Sequence, residues 1–318
     1  MSDSPTDLLP SDPTIVMIGA GAMGGAMLNG WIGSGEGVAA ALRGANFVVV
    51  EPTEEKASRL HGNLGVHAVS SIEDAEASVS DASVAGMGKP DIVVLAVKPQ
   101  VMDGVLEQLR ALPWFATDTD GKAAGNDHDR QNVPSTPGSF PLVVTIAAGI
   151  PTTHFEEMLG RGVRVVRVMP NMPLQVGAGA TAVAAGKNAT SDDVTLVKAL
   201  FDCIGSAYVV DESQIDAVCA LSGGGPAYVA YLIEALTAAG VTQGLDRVLA
   251  ESLAAQTVSG TCSLMAERKM SPEEVRRAVC SPGGTTLAAL AAMEEGGFER
   301  SIDAGVAAAI RRAQELAG

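Results

Sequence analysis

The first two thirds of the chain alternate short apolar runs with segments of helical periodicity. Largely apolar runs of about six to nine residues that end at or beside a glycine or proline predict buried strands. Such runs lie at 14–19, 46–51, 91–99, 141–149 and 163–171, and more weakly at 180–186. Because helical segments follow the first three runs, the pattern predicts an α/β Rossmann-like domain with a doubly wound, mostly parallel sheet.

From Asp211 onward the strand-like runs disappear. Segments rich in Ala and Leu predict helices over 226–240, 246–268, 286–295 and 299–316. Ser271-Pro272-Glu273-Glu274 is a capping box with proline at the first helical position, and it predicts a short helix ending near Cys280. We therefore expect a Rossmann domain at 14–211 and an all-α domain at 212–318.

Two polar segments lie outside this pattern. Residues 1–13 are predicted to be a disordered acidic tail, without the basic and apolar regions of a secretion signal. Residues 115–140 are rich in Gly, Asp and Pro and predict a mobile insertion. No run approaches the roughly 18 apolar residues of a membrane span. We expect a cytoplasmic protein without membrane contact.

Composition narrows the function. The 318 residues carry 21 Lys and Arg against 37 Asp and Glu, a net charge of −16. No basic face is visible, so we expect no nucleic-acid partner. A small anionic substrate would have to be held by local dipoles. The four cysteines form no CxxC pair, and the four histidines are scattered, so we expect no metal site.

A glycine motif follows the first predicted strand. Its residues fit G-x-G-x-x-G and precede a helix: Ile18, Gly19, Ala20, Gly21, Ala22, Met23 and Gly24. In this context the glycines allow a tight turn, close approach of a pyrophosphate and packing of the helix on the sheet. A glycine-rich turn without a ligand is the alternative, but the context favours dinucleotide binding.

Glu51 ends the second predicted strand. An acidic residue there accepts hydrogen bonds from the ribose 2′-OH of NADH and repels the 2′-phosphate of NADPH. Lys56 and Arg59 follow closely and would attract that phosphate. The choice between NADPH and NADH therefore stays open, as does the alternative that Glu51 is merely a solvated charge.

A second cofactor contact is predicted where the third strand ends, because ligands of open α/β sheets bind at that edge. The residues at this exit are Ala96, Val97, Lys98 and Pro99. An ordinary strand exit with a solvated Lys98 is an equally good interpretation.

Two glycine-rich segments precede helices in the second domain. For LSGGGPAY at 221–228 we favour a capping turn packed tightly on a neighbour. For CSPGGTTLAAL at 280–290 we favour a ligand site, because two threonine hydroxyls accompany the free N–H groups of a helix start.

With these residues the chain resembles the pyrroline-5-carboxylate reductase family from about Thr14 onward. The matching stretches are IGAGAMG (18–24), AVKPQ (96–100), TIAAGI (145–150), VRVMPNMP (166–173), LSGGGPAY (221–228) and SPGGTT with LAAL and MEEGGF (281–298). Two features depart from the family: Gly224 stands where serine is more usual, and the 115–140 insertion is not typical.

The resemblance implies reduction of the C=N bond of Δ1-pyrroline-5-carboxylate by hydride from NADPH or NADH, giving L-proline in the last step of proline biosynthesis. It implies that the substrate is bound by Ser281, Gly283, Gly284, Thr285 and Thr286. The hydroxyl of Thr286 would hydrogen-bond the imine nitrogen as the catalytic group. The resemblance also implies a homodimer formed through the helical domain, and assembly of dimers into larger homo-oligomers.

Two other functions remain open from the sequence. A β-hydroxyacid dehydrogenase has a similar layout but relies on a lysine of its helical domain, and Lys269, the only lysine after residue 198, lies in a turn-like segment. A nucleotide-sensing regulatory protein would bind the cofactor without turnover. It would leave the SPGGTT segment without a purpose.

Overall fold

The computed structural model describes residues 5–33, 42–81, 88–116 and 140–317. Contacts between residues divide the chain into two compact units, residues 1–223 with 313–318, and residues 224–312. The first unit contains the sheet, whereas the second is built from helices. The functional boundary expected at 211/212 stays a prediction.

The first unit has one eight-stranded sheet over the described residues. Its strands are β1 Thr14–Ile18, β2 Asn46–Val50, β3 His67–Val69, β4 Ile92–Leu95, β5 Leu142–Thr145, β6 Arg164–Met169, β7 Gly179–Ala185 and β8 Gly205–Val209. The order is β3-β2-β1-β4-β5-β6-β7-β8, and only the β6–β7 pair is antiparallel. The order in which successive strands are added to the sheet reverses between the parallel strands β1 and β4, and ligands of open α/β sheets bind at the carboxyl ends of the strands at such a point.

Helices cover both faces of the sheet. They are α1 Ala22–Gly33, α2 Glu54–Leu64, α3 Ile72–Ser80, α4 Met102–Arg110, α5 Thr152–Leu159, α6 Ser191–Asp202 and α7 Ile215–Val218. In β1, Ile15 and Met17 belong to the apolar cluster on one face, and Val16 and Ile18 to the cluster on the other. Burial on both faces explains why the strands are continuous apolar runs. The predicted fold class is confirmed.

The second unit has little interior of its own. Its helices are α8 Gly225–Thr242, α9 Arg247–Arg268, α10 Pro272–Val279, α11 Thr285–Glu295 and α12 Phe298–Ala317, the last of which ends in the first unit. The capping box of Ser271 and Glu274 is present at the start of α10. Many large apolar side chains of this unit are exposed, including Tyr231, Val248 and Leu253. In the described ranges, no helix has both the length and the apolar character needed to cross a membrane.

The structure corrects one expectation for the amino-terminal segment. Pro5–Leu8 form a short 3-10 helix, and Leu9 is buried in the core cluster that also contains Leu200. Residues 5–13 are therefore part of the packed domain because two leucines anchor them, rather than a disordered tail. Residues 1–4 lie outside the described ranges.

Most of the predicted insertion also lies outside the described residues, namely 117–139. Its two ends are described. Phe115 and Phe140 are both buried and stack with ring centroids 6.4 Å apart. The two ends of the insertion therefore lie close together, joined by the stacked pair of Phe115 and Phe140 in the core.

Candidate active site

The turn between β1 and α1 requires glycine at two positions. Gly19 has a φ of +92°, and a Cβ there would lie 2.8 Å from the carbonyl oxygen of Ala96. A Cβ on Gly24 would lie 2.5 Å from the carbonyl oxygen of Gly19. The absence of side chains at these two glycines allows α1 to lie close to the sheet. The first N–H groups of the helix have no helical partners.

Gly21 differs because a Cβ built there meets nothing within 4 Å. It borders a cavity of about 350 Å³, together with Ala20, Ala22, Lys56 and Arg59. The first turn of α1 contains no acidic residue. Open space, free N–H groups and the positive end of a helix dipole fit the pyrophosphate of a dinucleotide.

The exit of β4 lies beside this turn. The N–H of Ala96 donates to the carbonyl oxygen of Ile18 at 2.9 Å. Lys98 then precedes a 3-10 helix over Pro99–Val101. The sheet therefore brings the predicted cofactor residues to one edge: Ile18, Gly19, Ala20, Gly21, Ala22, Met23, Gly24, Glu51, Ala96, Val97, Lys98 and Pro99.

Glu51 follows β2 at the same edge and is only 6% exposed. Its backbone N–H donates to the carbonyl oxygen of Val69 at 2.9 Å. Its Oε1 accepts from the backbone N–H of Thr53 at 3.0 Å. The carboxylate is therefore held in one position rather than moving freely in solvent.

The SPGGTT segment forms a tight turn in the second unit. The N–H of Gly284 donates to the carbonyl oxygen of Ser281 at 3.0 Å, and Gly283 has a φ of +70°. A Cβ on Gly284 would lie 2.5 Å from Oγ of Ser281, so a larger residue would disturb the turn. The turn therefore brings all five predicted substrate residues together: Ser281, Gly283, Gly284, Thr285 and Thr286.

The helix start that follows this turn is free to bind an anion. Gly284 is the N-cap of α11 and makes no side-chain cap, and the first turn of α11 contains no acidic residue. Thr286 is half-buried, and its hydroxyl makes no hydrogen bond within the described part of the chain. The arrangement offers backbone N–H groups for a carboxylate and a hydroxyl for a second polar atom.

Sequence reasoning missed a buried charge cluster centred on Arg167 of β6. Arg167 is 5% exposed, and its guanidinium lies 3.3 Å from Oε1 of Glu212 and 3.8 Å from Oδ1 of Asp216. Glu212 also accepts from the backbone N–H and the hydroxyl of Thr152, both at 2.7 Å. An arginine inside an apolar strand pattern was the signal that could have revealed the cluster.

Asn171, which follows β6, was also missed. Its Oδ1 accepts from the N–H of Ala180 at 2.9 Å, and its Nδ2 donates to the carbonyl oxygen of Ser222 at 2.9 Å. Ser222 lies in a π-helical stretch, Cys219–Gly223, that runs into α8. The LSGGG segment is therefore π-helical up to Gly223, and Gly224 follows as the N-cap of α8, the capping position expected from the sequence.

No described group of three His, Cys, Asp or Glu side chains is placed to hold a metal. The four cysteines are free thiols. Burial raises the pKa of the Cys219 thiol, and the carboxylate of Asp216 raises it further, while Arg167 opposes the shift. Cys219 therefore packs as an apolar group rather than acting as a thiolate.

Two family models match the chain. A model described as "Pyrroline-5-carboxylate reductase dimerisation" matches residues 212–316. A model described as "NADP oxidoreductase coenzyme F420-dependent" matches residues 14–114.

Curated relatives and solved structures agree with these matches. A pyrroline-5-carboxylate reductase of Mycobacterium tuberculosis is 37% identical over 95% of this chain and 96% of its own length. The structure of a pyrroline-5-carboxylate reductase from Coxiella burnetii has a TM-score of 0.77 and 30% identity, covering 96% of this chain and 99% of the other. The Plasmodium falciparum pyrroline carboxylate reductase, solved with NADP bound, has a TM-score of 0.70 and 27% identity. The match covers 97% of this chain and 99% of the other.

Proposed function

The chain belongs to the pyrroline-5-carboxylate reductase family, and we propose that its SPGGTT turn is the substrate site of that enzyme. The protein is an NAD(P)H-dependent oxidoreductase that reduces the C=N bond of Δ1-pyrroline-5-carboxylate to L-proline, the last step of proline biosynthesis. The nicotinamide supplies the hydride when it is bound. The observation that carries the proposed substrate site is the uncapped start of α11, with its free N–H groups.

The substrate carboxylate binds to backbone N–H groups of Gly283, Thr285 and Thr286, because the N–H of Gly284 already donates to the carbonyl oxygen of Ser281. Anions are stabilised at helix starts by these donors and by the helix dipole. A carboxylate within the first turn would repel such an anion, and α11 has none there. A chain with a net charge of −16 therefore holds its anionic substrate by local dipoles rather than by its overall field.

Thr286 positions the imine nitrogen of the substrate. Its hydroxyl both donates and accepts a hydrogen bond, so it orients the ring and passes a proton from water to the nitrogen. A protonated imine carries positive charge at carbon and accepts hydride readily. Lys269, the residue on which the rival hydroxyacid dehydrogenase chemistry would depend, is an exposed helix C-cap residue with a φ of 52°.

We expect Thr286→Val to lower kcat/KM for pyrroline-5-carboxylate roughly 5- to 150-fold, because one well-placed hydrogen bond contributes about 1–3 kcal/mol. Thr286→Ser is the matched control, since it keeps the hydroxyl and should retain most of the activity. Steady-state oxidation of NADPH and NADH measures both variants. Full kcat/KM in Thr286→Val would remove the role given to the hydroxyl.

We propose that the protein is a homodimer formed through its helical unit, with further assembly of dimers open. The dimerisation family model matches this part of the chain. Tyr231, Val248 and Leu253 are 73%, 73% and 51% exposed in the single chain. Apolar side chains exposed in such number are typical of an interface with a second copy.

Leu253→Asp is expected to dissociate the homodimer, because it places a charge among the exposed apolar side chains of α9. Light scattering during gel filtration should show at least twice the 32.3 kDa chain mass for the parent protein and a shift to 32.3 kDa for the variant. Gln108→Glu, an exposed substitution on α4, should leave the parent mass unchanged. An unchanged mass in Leu253→Asp would place the interface elsewhere.

We also propose a cytoplasmic location. Its support is chemical, because all four cysteines are free thiols, as is usual in a reducing compartment. Immunoblotting of cell fractions tests it, and recovery outside the cytoplasmic fraction would contradict it.

A further inference from the structure

Glu51 favours NADH, whereas Lys56 and Arg59 of α2 would favour the 2′-phosphate of NADPH. The structure shows that Glu51 and these two cations border different cavities. We infer that this reductase selects NADH over NADPH and that Glu51 is the residue responsible. The inference rests on the dinucleotide site at the β1–α1 turn described above. It concerns only the ribose that is nearest to the end of β2.

Glu51 is placed beside the glycine turn by the register of the sheet. The N–H of Gly19 donates to the carbonyl oxygen of Val50 at 3.0 Å, so the next residue of that strand lies against the turn. In a Rossmann domain an acidic residue at this point accepts hydrogen bonds from the hydroxyls of the adenosine ribose.

The carboxylate of Glu51 is prepared for this contact. The backbone N–H of Thr53 donates to Oε1 of Glu51, and no described residue donates a hydrogen bond to Oε2. Although Glu51 is largely buried, it borders an open cavity of about 730 Å³. Oε2 is therefore the acceptor left for a ribose 2′-OH, and it needs no rearrangement to accept.

A 2′-phosphate would meet negative charge on this side. Glu54 borders the same cavity as Glu51, and no lysine or arginine borders it among the described residues. His61 and His67 also border it, and one ring nitrogen of each is engaged, by the carbonyl oxygen of Val66 and the hydroxyl of Ser78 respectively. A phosphate carrying up to two negative charges next to these carboxylates is repelled, and it finds no hydrogen-bond donor on Oε2 of Glu51.

The two cations of α2 lie elsewhere. Lys56 and Arg59 border the other cavity, the one that contains Gly21 and Ala22, where the pyrophosphate is expected. Arg59 also pairs with Glu55 at 3.5 Å. These cations therefore favour the pyrophosphate, which NADH and NADPH share, and do not distinguish the two cofactors.

Calorimetric titration of the parent protein with NADH and with NADPH tests the inference without turnover. We expect NADH to bind about tenfold or more tightly, the difference that one hydrogen bond to a charged group provides. Tighter binding of NADPH would overturn the selectivity. Absence of binding for both cofactors would overturn the dinucleotide site itself.

Three variants locate the selectivity. Glu51→Gln keeps the shape of the side chain without its charge, and it should move the ratio of the two dissociation constants about tenfold toward NADPH. Glu54→Gln, the matched control, should change the ratio less than about threefold, because this acid is exposed and screened. Lys56→Ala should weaken both cofactors alike. A selective loss of NADPH in Lys56→Ala, or an unchanged ratio in Glu51→Gln, would overturn the assignment.

Discussion

Gly21→Val is expected to abolish cofactor binding while leaving the fold intact. A Cβ at this position meets no protein atom within 4 Å, and the φ of Gly21 is not positive, so valine fits the free protein. The same side chain would occupy the space that a pyrophosphate needs at the start of α1. Losing two charge-assisted hydrogen bonds costs about 3–6 kcal/mol, which raises the Kd for either cofactor by a hundredfold or more.

Gly19→Val is the comparison variant, because it should lower the stability of the fold rather than block the cofactor site alone. There the Cβ would lie 2.8 Å from a backbone oxygen, and the φ of +92° excludes a β-branched residue. We expect Gly19→Val to lower the Tm strongly, and Gly21→Val to keep it within about 2 °C of the parent. Calorimetry with NADPH and NADH, beside thermal unfolding, measures both effects. Parent-like cofactor binding by Gly21→Val would contradict the placement of the pyrophosphate.

Arg167→Met is expected to destabilise the fold, because it removes the cation of a buried charge cluster. The guanidinium is buried and forms ion pairs with Glu212 and Asp216, which are partly shielded from water. Removing one partner of a buried ion pair costs about 3–5 kcal/mol, and the partial exposure of the carboxylates reduces this to about 2–3 kcal/mol. For a domain of this size the Tm should fall by roughly 5–10 °C.

Arg277→Met provides the control for that substitution. Arg277 pairs with Glu273 at 2.6 Å, but both side chains are exposed, so the pair contributes at most about 1 kcal/mol. Thermal unfolding followed by circular dichroism compares the two variants. Equal Tm values for Arg167→Met and the parent would show that the buried cluster does not stabilise the fold.

The sheet could be predicted from the sequence because its central strands are buried on both faces. β1, β4 and β5 each contain at least three consecutive apolar residues and no charged residue, and each was predicted. β3 and β8 were missed because they lie at the two edges of the sheet and are only partly buried, with Tyr208 and Val209 of β8 exposed. The helices α3, α5 and α6 were missed although their buried residues recur at helical spacing, as Leu196, Val197 and Leu200 do in α6.

The two glycine-rich site segments could be predicted because each is local in the chain. A turn depends only on neighbouring residues, so the turns at IGAGAMG and SPGGTT can be predicted from about seven consecutive positions. The roles of Arg167 and Asn171 depend on partners about 50 residues away, Asp216 and Ser222 respectively. Contacts at that separation follow from the topology of the sheet, which no local pattern specifies.

A crystal structure with L-proline bound tests the central claim most directly. The account predicts that both carboxylate oxygens lie within about 2.7–3.2 Å of backbone nitrogens among residues 283–286. It also predicts that the ring nitrogen lies within hydrogen-bond distance of the Thr286 hydroxyl. Proline bound with its carboxylate against a side-chain cation, or at any place other than the start of α11, would contradict the account.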